Sequence, residues 1–194
     1  MQTSDAELVT RAMEGDREAF RAITERYQRL VFSIAYHYMG SGNDVEDIAQ
    51  DVFLRFFQSI HRYDTSRPLK NWLGKITANR CLDELRRQRS NPVHSMAELD
   101  TEEGVDINEL FAKHASTGSM SEEESERCFQ LLHTAMLGLS DKDRMAFVLR
   151  EMEDLEYSQI AEILGTSEVA VRIRLSRTRQ KLEGELRRMF DEQL

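Results

Sequence analysis

The chain has 194 residues, of which 40% are hydrophobic, and its formal net charge is -9. This length and composition allow one or two small soluble domains with modest cores. No apolar run approaches the roughly 20 residues that span a bilayer, and the acidic N-terminus lacks the basic flank and apolar stretch of a signal peptide, so we expect a cytoplasmic protein without a membrane span.

The N-terminal block is predicted to be all-helical. Its apolar residues recur at helical spacing, and glycine and proline residues mark the breaks between the helices. The predicted helices are Asp5 to Met13, Arg17 to Met39, a helix capped by Asn43 that runs through Ile60, and Leu69 to Gln88. Between Lys70 and Arg89 the last helix carries six bases and only two acids. This local excess of positive charge matters more for a partner than the charge of the whole chain.

Trp72 and Asn79 lie among the bases of that helix. Aromatic faces that stack on exposed bases, next to cations that hold the backbone, suit single-stranded or melted nucleic acid. Composition alone slightly favours the other interpretation, in which Trp72 anchors the core and the bases only coat the helix.

Residues 91–126 carry ten acids and one base, which accounts for the whole net charge of the chain. This segment has little apolar periodicity, so we expect an acidic, flexible linker between two domains. The domains are then residues 1–90 and 127–194.

The C-terminal block predicts further helices near Phe129 to Gly138, from Asp141 to Met152, from Tyr157 to Leu164 and from Glu168 to Phe190. The last two enclose Gly165, suited to a left-handed turn, and Ser167, suited to cap the second helix. Helix, tight turn and helix in this order predict a helix-turn-helix.

On a wheel of about 100° per residue, one face of the last helix is apolar and the opposite face is basic and polar. The apolar face holds Val171, Leu175, Thr178 and Leu182; the opposite face holds Arg172, Ile173, Ser176, Arg177 and Gln180, flanked by Arg174, Arg179 and Lys181. Guanidinium, hydroxyl and aliphatic groups on one exposed face can read a major groove. We therefore expect DNA contact rather than a merely solvated face.

The sequence does not indicate an enzyme or a metal site. The five histidines are scattered, and a phosphate-binding glycine loop and a calcium loop are absent from the sequence. Cys81 and Cys128 lack metal-ligand spacing and are expected to be reduced. We expect no cofactor.

Three segments in order resemble the extracytoplasmic-function group of bacterial RNA polymerase sigma factors. They are DVEDIAQDVFLRFF from Asp44 to Phe57, RPLKNWLGKITANRCLDELRR from Arg67 to Arg87, and LSDKDRMAFVLREMEDLEYSQIAEILGTSEVAVRIRLSRTRQKL from Leu139 to Leu182. The resemblance implies a factor that binds core RNA polymerase, through the β′ coiled coil and the β flap, and directs transcription initiation at promoter DNA under the control of an anti-sigma factor.

The resemblance also assigns roles to residues. Asp47, Gln50, Asp51 and Leu54 would contact the polymerase; Trp72, Lys75, Asn79, Arg80, Arg86 and Arg87 would bind and melt the -10 element; and Arg172, Ile173, Arg174, Ser176, Arg177, Arg179 and Lys181 would read the -35 element. A base flipped from the -10 element would enter the loop from Tyr63 to Lys70. Ile173 replaces a serine common in the family, and the loop lacks the usual Phe-Arg-Gly start, so promoter preference does not transfer.

The main alternative is a conventional helix-turn-helix regulator whose N-terminal block dimerises or senses a ligand. It predicts a dimer on palindromic sites, whereas the sigma interpretation predicts a monomer that depends on core polymerase. A pure interaction adaptor would leave the arginine-rich face unexplained.

Overall fold

The structure is a computed structural model that describes residues 3–40, 44–90 and 122–191. Within those ranges the chain forms helices and turns only, as the sequence predicted. The elements are α1 (Asp5–Met13), α2 (Arg17–Met39), α3 (Asp44–Ser59), a 3₁₀ turn (Ile60–Arg62), α4 (Leu69–Ser90), α5 (Glu122–Leu137), α6 (Asp141–Phe147), a π turn (Val148–Met152), α7 (Tyr157–Leu164) and α8 (Glu168–Asp191). Most of the predicted acidic linker and the predicted cap Asn43 lie outside the described residues.

Local capping sets several helix boundaries where the sequence predicted them. Asp16 accepts hydrogen bonds from the backbone N–H groups of Glu18 and Ala19 at 2.9 and 3.2 Å, which starts α2. Gly40 ends this helix with φ at 91°, a backbone conformation that glycine adopts without a steric cost.

Two boundaries differ from the prediction by more than two residues. Helix α5 begins at Glu122, within the segment assigned to the linker. The single helix predicted from Asp141 to Met152 changes to a π turn after Phe147. There the N–H of Glu153 donates to the carbonyl of Val148 at 3.3 Å, one residue further back than in an α-helix.

The N-terminal block, α1 to α4, has α2 at its centre, packed against each of the other three helices. One core cluster lies wholly within it, around Ile23, Phe56 and Leu73. No helix of the described residues combines the length and the apolar character needed to cross a membrane.

The second core cluster joins both blocks. It contains Val31 and Ile34 from α2 and Ala78 from α4, together with Leu149 from the π turn and Ile160 from α7. The two blocks therefore form one body in this structure. The sequence predicted two domains but gave no reason to expect a shared core.

Candidate nucleic-acid interface

The turn between α7 and α8 has the geometry of a helix-turn-helix. Gly165 adopts the left-handed conformation, with φ 62° and ψ 46°. The N–H of Thr166 then donates to the carbonyl of Ala161 at 2.9 Å, which closes the end of α7. Ser167 begins α8, since its Oγ accepts a hydrogen bond from the N–H of Ala170 at 3.2 Å.

Helix α8 presents the two faces that the wheel predicted. Val171, Leu175, Thr178 and Leu182 are buried. Arg172, Ile173, Ser176, Arg177 and Gln180 are exposed. Ile173 keeps 48% of its surface accessible, which leaves an apolar side chain among the polar groups that can meet a DNA groove.

The bases of α8 differ in how they are held. Arg172 lies over the ring of Tyr157, 4.3 Å from its centroid, a cation–π contact that orients the guanidinium. Arg174 and Arg179 form ion pairs with Asp143 and Glu151 at 2.5 and 2.6 Å. Arg177 and Lys181 are exposed.

Helix α4 carries the other predicted set of DNA contacts. Lys75 and Asn79 are exposed. Arg80 is held between two carboxylates, Asp51 of α3 at 2.5 Å and Glu84 at 2.8 Å. Burial favours a lower pKa for Arg80, but the hydrogen bonds to Glu84 and Asp51 outweigh it and raise that pKa.

Arg86 and Arg87 extend the basic surface toward the end of α4. Both are exposed and form ion pairs within the helix, Arg86 with Asp83 at 3.4 Å and Arg87 with Glu84 at 2.7 Å. Ion pairs between exposed side chains are weak in water. Arg86 can therefore exchange its partner for a phosphate at little cost, whereas the partner of Arg87, Glu84, is only 2% exposed and would keep Arg80 alone.

Trp72 is half-buried and packs in an aromatic cluster. Its ring stacks on Tyr63 at 4.8 Å and meets Phe56 edge-on at 5.4 Å. The hydroxyl of Tyr63 in turn donates to the carbonyl of Arg67. Trp72 therefore supports the loop from residue 63 to 67, which is the anchoring role that composition alone favoured.

The predicted polymerase contacts lie along α3. Asp47 and Gln50 are exposed, and Leu54 keeps 59% of its surface accessible. Asp51 is half-buried and pairs with Arg55 at 3.1 Å as well as with Arg80. This pairing links the predicted polymerase surface to the predicted -10 surface.

Leu54 borders an apolar groove that sequence reasoning missed. The groove has a volume of about 680 Å³ and is lined by Gly15, Asp16, Arg17, Phe20, Thr24, Gln50, Phe53, Leu54 and Phe57. Phe57 is 51% exposed and meets the ring of Phe20 edge-on at 5.1 Å. The sequence did contain a signal, because one face of a helix cannot bury Phe53, Leu54, Phe56 and Phe57 together.

Two further features concern chemistry. The described residues contain no group of three or more His, Cys, Asp or Glu side chains that could hold a metal ion. Cys81 is fully buried, and burial raises the pKa of its thiol to about 12, whereas Cys128 is exposed. Sequence reasoning also missed a contact across the two blocks, in which Arg67 and Asn71 each donate a hydrogen bond to the carboxylate of Glu162.

Two family models match the chain in order. Sigma-70 region 2 matches residues 23–91, and sigma-70 region 4 matches residues 129–182. The ECF RNA polymerase sigma-E factor of Haemophilus influenzae is 30% identical over 187 residues, which cover 95% of this chain and 96% of that protein. The ECF RNA polymerase sigma factor SigW of Bacillus subtilis is 28% identical over 181 residues, covering 92% and 95%.

Two solved structures share the fold. CnrH, in a complex with the cytosolic domain of CnrY, has a TM-score of 0.68 at 22% identity and covers 94% of this chain and 96% of its own. RpoE of Bartonella quintana, in a complex with the anti-sigma factor NepR, has a TM-score of 0.64 at 21% identity and covers 87% and 96%. At these identities the match supports the architecture alone.

Proposed function

The chain belongs to the extracytoplasmic-function group of bacterial RNA polymerase sigma factors, and we propose which of its surfaces contacts the polymerase and which contact promoter DNA. A sigma factor binds core RNA polymerase and directs promoter recognition and initiation. The polymerase itself catalyses the joining of nucleotides. This membership also replaces the alternative of a conventional dimeric regulator. We place its action in the cytoplasm, where core polymerase works.

The exposed face of α8 is the main observation behind our proposal that this helix binds the -35 element. It combines Arg172, Ser176 and Arg177 with the apolar Ile173 on a helix whose opposite side is buried. Arginine pairs with guanine edges and phosphates, and an aliphatic group packs on a thymine methyl. We propose that this face enters the major groove, with Arg174, Arg179 and Lys181 toward the flanking phosphates.

Transcription with purified core polymerase tests this assignment. The wild-type chain should initiate at a subset of promoters in a genomic library, and the mapped start sites reveal both elements. Replacing Arg172 and Arg177 by alanine should reduce initiation at least about 30-fold, since each good base contact contributes about 1–3 kcal/mol and the two together at least about 2 kcal/mol. The matched control replaces Arg187, which is exposed near the end of the same helix, and should keep activity.

Measurement of core binding distinguishes the DNA-binding face of α8 from the polymerase-binding surface on α3. The Arg172 and Arg177 variant should bind core polymerase as the wild type does. An equal loss of core binding would show that this face was assigned wrongly. If no promoter in the library is used by the wild type, the function itself is refuted.

We propose that α4 and the loop before it bind the opened -10 element. Lys75 and Asn79 are exposed for contact with the strand, and Arg80, Arg86 and Arg87 provide positive charge along the helix. Trp72 serves this site by supporting the loop through Tyr63. Stacking and cationic contacts suit a melted strand. Lys75→Ala should therefore weaken strand opening more than duplex binding, which a permanganate footprint measures.

The groove beside α3 supports the assignment of the polymerase surface. Exposed apolar patches on a protein mark interaction sites, and here Leu54 and Phe57 border a groove with Gln50 and Asp47 beside them. We propose that the β′ coiled coil packs on Leu54 and Phe57 and that the C-terminal block meets the β flap.

Pull-down with β′ tests this surface. Phe57→Asp should lower the affinity at least tenfold, because a buried aromatic contact at an interface centre commonly contributes about 2 kcal/mol or more. Leu137→Asp is the matched control, since Leu137 is 56% exposed and lies on α5. Equal loss in both variants would contradict the assignment.

We propose that an anti-sigma factor controls the chain. The fold neighbours CnrH and RpoE were solved in complexes with CnrY and NepR, and membership in the same group makes this kind of control the simplest expectation here. Purifying the tagged chain from its own cells before and after stress, and identifying what is bound, tests the proposal. Failure to recover a partner that inhibits transcription in the purified system would count against it.

A further inference from the structure

Two large aliphatic side chains lie next to each other on the exposed face of α8. Val169 is 65% exposed and Ile173 is 48% exposed. At about 100° per residue, they lie within about 40° of each other, on the side of the helix opposite the buried Val171. About 6 Å of helix axis separates them. We call this pair, Val169 and Ile173, the apolar strip.

The apolar strip occupies the part of α8 that comes closest to bases in a helix-turn-helix. The same line of residues continues with Ser176 and Gln180, which are exposed and polar. In a helix-turn-helix, the N-terminal residues of the second helix contact the base edges in the major groove. The apolar half of this line, rather than the polar half, therefore lies against the base edges.

The arginine next to the apolar strip already has partners within the protein. Arg172 lies over the ring of Tyr157, 4.3 Å from its centroid, and 3.7 Å from a carboxylate oxygen of Glu168. The guanidinium of Arg150 lies 5.0 Å from the centroid of the same ring. Arg172 must give up these contacts to turn toward a base edge. The exposed aliphatic groups of the apolar strip exchange water for their partner.

The charge around the apolar strip identifies DNA as its partner. The sequence from residue 169 to 182 contains five bases and no acid. Such a local excess of positive charge attracts a polyanion, and contacts to phosphates position a helix on the duplex. The apolar group that base edges present in the major groove is the C5-methyl of thymine. A thymine methyl is therefore the group that matches the apolar strip.

We infer that Val169 and Ile173 read the 5-methyl groups of thymines, on either strand, at two positions of the -35 element no more than two base pairs apart. Two base-pair steps span about 6.8 Å of duplex, which is close to the separation of the two residues along α8. This inference rests on the proposed function of α8. It adds a base preference to that function: A·T pairs at both positions, selected by apolar contact.

Replacement of thymine by deoxyuridine tests the contact, because it removes the methyl group and leaves every hydrogen-bonding group of the base in place. The template is a promoter mapped with the wild-type chain and core polymerase, and each thymine of its -35 element is replaced in turn. Initiation at subsaturating holoenzyme should fall about fourfold at each of two positions, the factor expected for loss of one buried methylene-sized group. Thymines between the two promoter elements are the matched control in the DNA.

Paired changes in protein and DNA assign each methyl group to its residue. In Ile173→Ser, deoxyuridine at one of the two positions should no longer lower initiation, and in Val169→Ser the same should hold at the other. Ile173→Val keeps a branched aliphatic group and should keep both effects. Leu137→Ser is the matched control, because Leu137 is 56% exposed and lies outside α8. A merely structural role would lower initiation by the same factor on thymine and deoxyuridine templates.

Three results would count against these assignments, each in a different way. Equal initiation by the wild type on thymine and deoxyuridine templates at every position of the -35 element would overturn the inference. So would retention of both effects in Ile173→Ser and Val169→Ser, because other residues would then read the methyl groups. Failure of the wild type to initiate at any promoter with core polymerase would instead refute the proposed function itself.

Discussion

Arg144 offers the most direct test of how the two blocks hold together. It lies on α6 and is only 2% exposed. Its Nε donates to the carbonyl of Met136 in α5, and its Nη1 donates to the carbonyl of Tyr38 in α2, both at 3.2 Å. These carbonyls lie in the last turns of their helices, where the backbone oxygens lack intrahelical partners and carry partial negative charge. Arg144→Met should remove this connection while it keeps most of the aliphatic volume.

The expected cost follows from opposing contributions. Two hydrogen bonds from a charged group contribute about 1.5–3 kcal/mol each. Removing the guanidinium also removes its desolvation cost, which is the main reason that the pKa of Arg144 is lowered. The two bonds together contribute about 3–6 kcal/mol, and the recovered desolvation cost puts the net loss at the lower end, about 3 kcal/mol, which corresponds to a decrease in Tm of roughly 6–12 °C for a chain of this size.

Thermal unfolding followed by circular dichroism, supported by denaturant titration, measures this loss. The control is Arg21→Met, since Arg21 is 70% exposed and pairs only across one helical turn with Glu25. That change should alter the free energy of unfolding by less than about 0.5 kcal/mol. A loss of under about 1 kcal/mol for Arg144→Met would refute the reasoning, because the carbonyl of Tyr38 loses this buried donor and that of Met136 keeps only the N–H of Leu139 at 3.1 Å.

Three other changes test charge and backbone geometry. Burial raises the pKa of Glu153, whose carboxylate accepts from Ser33, so its ionisation costs stability as pH rises through the folded pKa. Glu153→Gln should raise Tm at pH 7 and lose this gain in acid. Burial opposes ionisation of Glu84, but hydrogen bonds from Arg87 and Arg80 lower its pKa overall, so its contribution is present above the unfolded pKa and lost as pH falls. Glu84→Gln should lower Tm at pH 7 and have little effect near pH 3. Gly165→Val should destabilise the chain by at least about 1 kcal/mol, because φ is 62° there. For the two glutamate variants, a difference in Tm from the wild type that does not change with pH would contradict the expectation. For Gly165→Val, a Tm equal to that of the wild type would do so.

Features that depend on neighbours a few residues away follow from the sequence alone. The two faces of α8 follow from a period of 3.6 residues, so Val171 and Leu175 are buried and Arg172 and Arg177 are exposed as predicted. Gly165 is required by the left-handed end of α7. The ordered segments were also sufficient to indicate the family, and the family models match the same two blocks.

Features that join distant parts of the chain become visible only in the folded structure. The shared core, the contact of Glu162 with Arg67 and Asn71, and the pairing of Arg80 with Asp51 each connect different helices. Periodicity shows that a side chain is exposed on its own helix, but it does not show which other helix covers it. That choice depends on how whole surfaces fit together, as where Gly74 admits Ile163.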